Sequence, residues 1–310
     1  MRKKHIHKVK INSPSISFTL GCKHLSDNKA CTMSQPLFEL SAVNKSYYST
    51  RKKRLFSRRD NRTAVQALQD INLQIFAGEI FVIVGLSGSG KSTLLRTLNH
   101  LIPASSGEVR FQGQPLAALS DRELIALRRE QMGMVFQSFA LFDERNVLEN
   151  VAFGLEVAGV PREAREARAL TMLEKVGLSH VAKQYPHQLS GGMQQRVGLA
   201  RALVVNPSVL LMDEAFSALD PIIRREMQSL LLVLQAEAQR TIVFVTHDME
   251  EALRLGSRIA IMEKGRLVQV GKPEALINAP ATPYVRHFFS GVDVSRWQMA
   301  ENYADIWTTR

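Results

Sequence analysis

Ile80-Phe81-Val82-Ile83-Val84-Gly85-Leu86-Ser87-Gly88-Ser89-Gly90-Lys91-Ser92-Thr93 reads as a short apolar strand, a glycine-rich turn and the start of a helix. The turn has the pattern G-x-x-x-x-G-K-S in the strand-to-helix context that gives it meaning. Gly85, Gly88 and Gly90 remove the Cβ atoms that would keep backbone N–H groups from converging on an anion. A polyphosphate then sits against the helix that begins at Lys91, where unpaired N–H groups and the helix dipole favour negative charge. In that arrangement Lys91 reaches the β and γ phosphates, and the Ser92 hydroxyl joins a Mg²⁺ shell.

The length of 310 residues and the 45% hydrophobic content suit one large or two modest globular domains with a substantial core. The net charge of +11 is unevenly distributed: residues 1–62 hold 15 Lys or Arg against 3 Asp or Glu, while the remainder holds 25 against 26. Basicity therefore belongs to the amino-terminal fifth, read as a solvated tail or as a segment that favours anionic lipid or nucleic acid. Cys22 and Cys31 are the only cysteines and both lie there, which argues against a disulfide-built secreted domain and against a zinc site. No apolar run approaches the roughly 18 to 20 residues that span a bilayer. The basic start is followed by an apolar portion too short and interrupted for a signal segment.

Residues 1–34 carry no sustained period and are expected to be a disordered extension or the product of an upstream start, with Met33 a plausible natural beginning. A first strand is expected at Leu37-Phe38-Glu39-Leu40. The basic run Arg51-Lys52-Lys53-Arg54, with Arg58, Arg59 and Arg62 behind it, reads as an exposed insert over 51–62. Alternation at Ile71, Leu73 and Ile75 predicts a half-buried strand. Further strands are predicted at Glu108–Phe111, Gly133–Phe136, Val209–Met212, Thr241–Val245, Ile259–Met262 and Leu267–Val270. Helices are predicted over 121–129, with Ser120 or Asp121 as cap, and over 221–235 and 249–255. From 138 to 188 the short β runs stop, and helix periods cover 146–159 and 162–177, with Pro161 near the first turn of the second and Gly177 closing it. Apolar strands separated by helices predict a mostly parallel sheet covered on both faces, with a helical subdomain inserted. Ligands then gather at the carboxyl ends of the strands. The tail aromatics Tyr284, Phe288, Phe289, Trp297, Tyr303 and Trp307 read as core-closing.

Asp213 and Glu214 directly follow four apolar strand residues, at the same end of the sheet as the phosphate turn. Asp213 suits a Mg²⁺ held largely through water, leaving Glu214 to orient an attacking water and accept its proton. His247 ends a third strand and is placed at the γ phosphate or the water. Gln137 ends a fourth, at the start of the helical insert; its amide suits a neutral Mg²⁺ or water contact that reports nucleotide state. Leu189-Ser190-Gly191-Gly192-Met193-Gln194-Gln195-Arg196 is a second glycine turn opening a helix. A helix cap alone explains its residues locally; a head-to-tail pair of subunits, each closing this turn over its partner's nucleotide, is compatible with them but not demanded by them.

With those motifs together, the chain resembles the ATP-binding subunits of ABC transporters over roughly Leu37 to Gly271. Gly85–Ser92 is similar to Walker A, Gln137 to the Q-loop, Leu189–Gln195 to the signature motif, Val209–Glu214 to Walker B, Ser217–Asp220 to the D-loop and His247 to the switch histidine. Tyr47 is the best match to the adenine-stacking aromatic, with Tyr48 its neighbour and competitor. The resemblance implies a P-loop NTPase fold of the ABC type: a mostly parallel core sheet, an antiparallel β portion and an inserted helical subdomain. It sets the domain over 35–275, the helical subdomain at 138–206, and a C-terminal extension at 276–310. ATP and Mg²⁺ are the implied ligands: Ser92, Gln137 and Asp213 at the metal, and Tyr47, Gly85, Leu86, Ser87, Gly88, Ser89, Gly90, Lys91, Ser92, Thr93, Gln137, Ser190, Gly191, Gly192 and Asp213 at the nucleotide. Catalysis falls to Glu214, His247 and Lys91.

Gly85–Ser92, Met134–Leu141, Leu211–Pro221 and Tyr284–Phe289 resemble the ATPases of glycine betaine, proline betaine and choline importers more narrowly. Many of those continue into paired CBS domains; the resemblance here does not cover such a pair, so osmotic regulation is not carried over. A second copy of the chain, an integral membrane permease and, indirectly, a solute-binding protein are the implied partners. The implied location is the cytoplasmic face of a bacterial inner membrane, peripherally attached, with no nucleic acid expected. The alternatives are an amino-acid or other small-solute importer and a soluble ABC ATPase acting on nucleic acid or ribosomes. The latter is favoured only by the basic front end.

Overall fold

The computed structural model describes residues 35–48 and 64–292. The expected extension over 1–34, the basic insert over 51–62, both cysteines and Trp297, Tyr303 and Trp307 lie outside the described residues.

Ten strands among the described residues form two sheets. The larger has the order β10-β9-β3-β8-β7-β6, built from β3 (Ile80–Gly85), β6 (Met132–Val135), β7 (Val209–Asp213), β8 (Thr241–Thr246), β9 (Arg258–Glu263) and β10 (Arg266–Gly271). All its pairings are parallel except the β9–β10 hairpin. The smaller sheet, of order β2-β1-β4-β5, is antiparallel and contains β1 (Phe38–Tyr48), β2 (Ala64–Ile75), β4 (Ser106–Phe111) and β5 (Gln114–Pro115).

The alternation of side chains along the central strands explains the layers. Ile80, Val82 and Val84 of β3 face one core with Met212, Phe244 and the helices α6 (Pro221–Ala238) and α7 (Met249–Leu255). Phe81 and Ile83 face the other, with Leu94, Leu95 and Leu98 of α1 (Lys91–Leu98) and the inner residues of β1 and β2. Strands buried on both faces must be apolar throughout, which is why β3, β7 and β8 stand out in the sequence.

A third cluster belongs to helices. Val147, Val151 and Leu155 of α3 (Val147–Val157), Ala169 and Leu173 of α4 (Arg162–Lys175), and Val197 and Ala200 of α5 (Gly191–Leu203) close on one another. Asn146 caps α3 in a reciprocal arrangement with Glu149, as Ser120 does with Glu123 on α2 (Asp121–Gln131). Each such cap is worth about 1 kcal/mol. Helix α4 ends at Lys175, and Gly177 follows at φ 74°. Helices α8 (Pro273–Asn278) and α9 (Pro283–Phe289) complete the described part, with Tyr284, Phe288 and Phe289 packed against the core of α6 and α7.

Two strands are longer than their sequence pattern suggests. The first continues from Phe38 to Tyr48, and its partner starts at Ala64, not at Ile71. Register shifts interrupt their pairing beyond Leu40, and Ala42 takes φ 48°, so the two-residue alternation is reset and no longer visible as a strand. No helix among the described residues is long and apolar enough to cross a membrane.

Candidate active site

Because β6, β7, β8 and β3 run parallel, with Val135 opposite Met212, Asp213 opposite Val245 and Thr246 opposite Val84, the residues that succeed them emerge along one edge. Gln137, Glu214, His247 and the phosphate turn are those residues. The turn leaves β3 at Gly85, where an added Cβ would lie 2.7 Å from Ser89 Oγ and would also strike the Met262 carbonyl oxygen. Gly90 has φ 100°, and a Cβ there would meet the Ala67 carbonyl. Both positions therefore require glycine. Leu86, Ser87 and Gly88 are exposed, whereas Ser89 is buried.

Gly90 precedes helix α1 at the capping position and has no side chain to cap it, so the first N–H groups of the helix are left for a ligand. Lys91 is only 4% exposed, and its Nζ donates to the carbonyls of Gly85 at 2.8 Å and Leu86 at 3.2 Å. The same ammonium lies 3.5 Å from Glu214 Oε1. The other Glu214 oxygen is 3.2 Å from His247 Nδ1, so the carboxylate stands between the buried lysine and an exposed histidine. Glu214 itself adopts φ 46°, and its N–H donates to Val245 O at 3.0 Å, which ties this left-handed residue to β8. A non-glycine backbone held there costs about 1–3 kcal/mol, a strain typical of functional positions.

Ser92 Oγ donates to Asp213 Oδ1 at 2.6 Å, bringing together the hydroxyl and carboxylate expected at a metal. Asp213 also receives Arg96 Nη2 on Oδ2 at 3.3 Å, a contact with no forewarning in the motif spacing. Thr93 lies in the first turn of α1, its carbonyl accepting from Thr97 Oγ1 at 2.7 Å. Gln137 sits to one side: its amide donates to Ser217 Oγ at 3.1 Å, and Ser217 Oγ donates to the Glu214 carbonyl at 2.9 Å. It is thus connected to Glu214 through Ser217, and no hydrogen bond among the described residues joins it to Ser92 or Asp213.

Tyr47 and Tyr48 end β1 opposite Val65 and Ala64. Tyr47 is 41% exposed with Lys45 Nζ 5.4 Å from its ring centre, while Tyr48 is 64% exposed. Ser190 caps α5, its hydroxyl accepting from Met193 N at 3.4 Å, and Gly192 leaves room for Ile223, whose Cγ2 would lie 2.6 Å from an added Cβ. No hydrogen bond or ion pair among the described residues links Ser190, Gly191 or Gly192 to Lys91, Asp213, Glu214 or His247. The tail contributes a residue whose polar role its aromatic character concealed. Tyr284 donates its hydroxyl to Met262 O at 3.1 Å, the carbonyl against which Gly85 packs. Burial pushes the Tyr284 phenol up.

The residues fit a magnesium polyphosphate. Ser89 Oγ is buried without a protein partner beside an uncapped helix start, and Ser92 and Asp213 offer adjacent hard oxygens. No group of three or more His, Cys, Asp or Glu side chains able to hold a metal is found among the described residues.

The family profile described as ABC transporter matches residues 68–217. The chain is 46% identical over 264 residues to the trimethylamine N-oxide transport system ATP-binding protein TmoW of Pelagibacter ubique, covering 83% of this chain and 77% of that protein. The chain belongs to the ABC transporter ATP-binding family. A second relative is the glycine betaine/proline betaine transport system ATP-binding protein ProV of Escherichia coli, 57% identical over 237 residues and 76% of this chain. The ABC chain spans 59% of that relative's length. Among solved structures, the dimeric post-hydrolysis state of the ATP-binding cassette MJ0796 bound to ADP and Pi superposes with a TM-score of 0.65 at 36% identity. The match covers 76% of this chain and 98% of that one. The expected fold, with its parallel core, antiparallel sheet and helical subdomain, is that of an ABC nucleotide-binding domain.

Proposed function

We propose that this chain is the ATP-hydrolysing subunit of an importer for a quaternary amine such as glycine betaine or choline. The observation that carries the hydrolytic part is the Glu214 carboxylate, held between Lys91 and His247 at the ends of adjacent strands. Lys91, the free N–H groups of α1 and the turn from Gly85 to Gly90 bind the β and γ phosphates. Ser92 and Asp213 hold the Mg²⁺, with Gln137 approaching it when nucleotide is present; the ion neutralises phosphate charge. Glu214 orients water toward the γ phosphorus and accepts its proton, and His247 steadies that carboxylate and the γ phosphate. Tyr47 offers the adenine a stacking face.

The Ser190-Gly191-Gly192 turn acts in trans, closing over the nucleotide of a second copy. Support comes from its lack of contacts, among the described residues, with the phosphate turn of its own chain and from the dimeric state of the related MJ0796 cassette. The portion over 138–206 meets an integral membrane permease at the cytoplasmic face of the inner membrane, and a separate solute-binding protein delivers the solute. The solute class rests on relatives named for glycine betaine, proline betaine and trimethylamine N-oxide, at 46–57% identity. A methionine import ATP-binding protein of Corynebacterium jeikeium reaches 45%, so amino-acid import is the alternative.

Phosphate release by the purified full chain, compared with Glu214→Gln, tests hydrolysis: turnover is expected in the first and its loss in the second. Equal turnover overturns the role of Glu214. Uptake of glycine betaine, choline and methionine by the assembled transporter tests the solute, and methionine uptake alone overturns the quaternary-amine assignment.

A further inference from the structure

A polar cluster, buried at Thr246, Gln228 and Glu251 and half-buried at Arg224 and Asp248, joins two segments that flank the proposed hydrolytic site. Arg224, in the first turns of α6, directs its guanidinium in three ways. Nη2 donates to the Leu219 carbonyl at 3.2 Å and approaches that of Ser217 at 3.5 Å. Nη1 donates to Asp248 Oδ2 at 3.3 Å. Nε is buried without a hydrogen-bond partner and stands 4.0 Å from Glu251 Oε1.

Glu251 lies on α7 and is 4% exposed. It accepts from Thr246 Oγ1 at 2.6 Å and from Gln228 Nε2 at 3.1 Å, so it is anchored to the end of β8 and to α6. Thr246 Oγ1 in turn accepts from Asp248 N at 3.0 Å, bending the chain around His247. Burial pushes the Glu251 carboxyl up, against the hydrogen bonds from Thr246 and Gln228 and the attraction of Arg224. A carboxylate in such a place is costly unless it is paired and hydrogen-bonded. A neutral side chain would fill the space between α6 and α7 more cheaply, so the acid has another purpose.

The contacts of the two segments supply that purpose. The Ser217 side chain bridges Gln137 to the Glu214 carbonyl, and His247 contacts the Glu214 carboxylate. We propose that Arg224, braced from behind by Glu251, is a positioning residue that locks the Ser217–Leu219 turn to the Thr246–Asp248 segment and so keeps His247 and Glu214 in register. Neither residue touches the phosphates; each acts through the backbone of the segments it joins. The proposal rests on the hydrolytic role of Glu214 and adds the device that holds Glu214 and its histidine together.

The test compares the full chain with Arg224→Lys, Glu251→Gln and the double variant, measuring ATP turnover, KM and the thermal midpoint. Lysine keeps the charge but cannot span two carbonyls and a carboxylate, and glutamine keeps the Thr246 hydrogen bond but not the charge. Each single change is expected to lower kcat about tenfold with KM and the thermal midpoint nearly unchanged, because small misplacements of reacting groups are that expensive. The double variant is expected to lose little more than either single one, as for two parts of one unit. A kcat near that of the parent, a loss confined to KM, losses that multiply, or a loss that merely tracks the thermal midpoint would each overturn the proposal. If Glu251→Gln fails to fold, the kcat, KM and midpoint of Arg224→Lys decide alone. Glu214→Gln, assayed alongside, separates the two ideas: an active parent silenced by that change sustains the hydrolytic assignment whatever Arg224 does. An inactive parent removes both.

Discussion

Two glycine turns open helices in this molecule, and they are finished differently. The turn before α1 begins a helix with no side-chain cap, and its lysine, Ser92 and the strand-end residues Asp213, Glu214 and His247 surround the same small space. The turn before α5 is capped by its own Ser190 and rests on Ile223, with no hydrogen bond or ion pair among the described residues to those strand-end groups. One turn is furnished by its own chain. The other presents a helix start whose proposed nucleotide belongs to a partner.

The difference predicts a graded series. Glu214→Gln should lower ATP turnover by about 10²- to 10⁴-fold, the range for losing a general base, while leaving nucleotide affinity intact. Single-turnover phosphate release measures it, and wild-type rates would break the comparison at its strongest point. Lys91→Ala should weaken ATP binding about 10- to 100-fold, since a charge-assisted hydrogen bond to phosphate contributes about 1.5–3 kcal/mol. Equilibrium titration of monomeric protein reads that loss. Ser190→Ala should leave the same titration within about twofold yet slow turnover by roughly tenfold, as expected for a hydrogen-bonding group that acts only across subunits. A large loss of affinity in the isolated chain would place Ser190 in its own chain's site and erase the contrast. Smallest is Tyr284→Phe, which removes the hydroxyl bond to Met262 O behind Gly85 and should cost about 1 kcal/mol of stability. Chemical denaturation measures it, and an unchanged midpoint would leave the tail with only its packing role.

Continuous burial is the part of this fold that can be seen in the sequence. Val209–Met212 is apolar because both sheet faces are covered, and that run announces Asp213 and Glu214 at its end. The phosphate turn is equally readable, because Gly85 and Gly90 are fixed by backbone contacts that forbid any Cβ. The extent of β1 is hidden by its register shifts, which break the two-residue period just where Ala42 turns left-handed. The Arg224–Glu251 cluster is hidden for another reason. Charged residues on two amphipathic helices read as solvated faces, and only the packing of α6 against α7 reveals a buried acid beside an arginine. Sequence position points Gln137 toward the metal, whereas its amide donates to Ser217 and is linked through that hydroxyl to the Glu214 carbonyl, a connection that no motif spacing announces.

In the proposed arrangement the second turn completes the site of another copy. Sedimentation of Glu214→Gln with and without MgATP tests it most directly, because slow hydrolysis would preserve the closed state. The mass is predicted to double when ATP is added and to remain that of one chain when Ser190→Arg is combined with Glu214→Gln. A single-chain mass at saturating ATP, in a preparation whose parent hydrolyses ATP at a rate per molecule independent of protein concentration, would contradict the composite site.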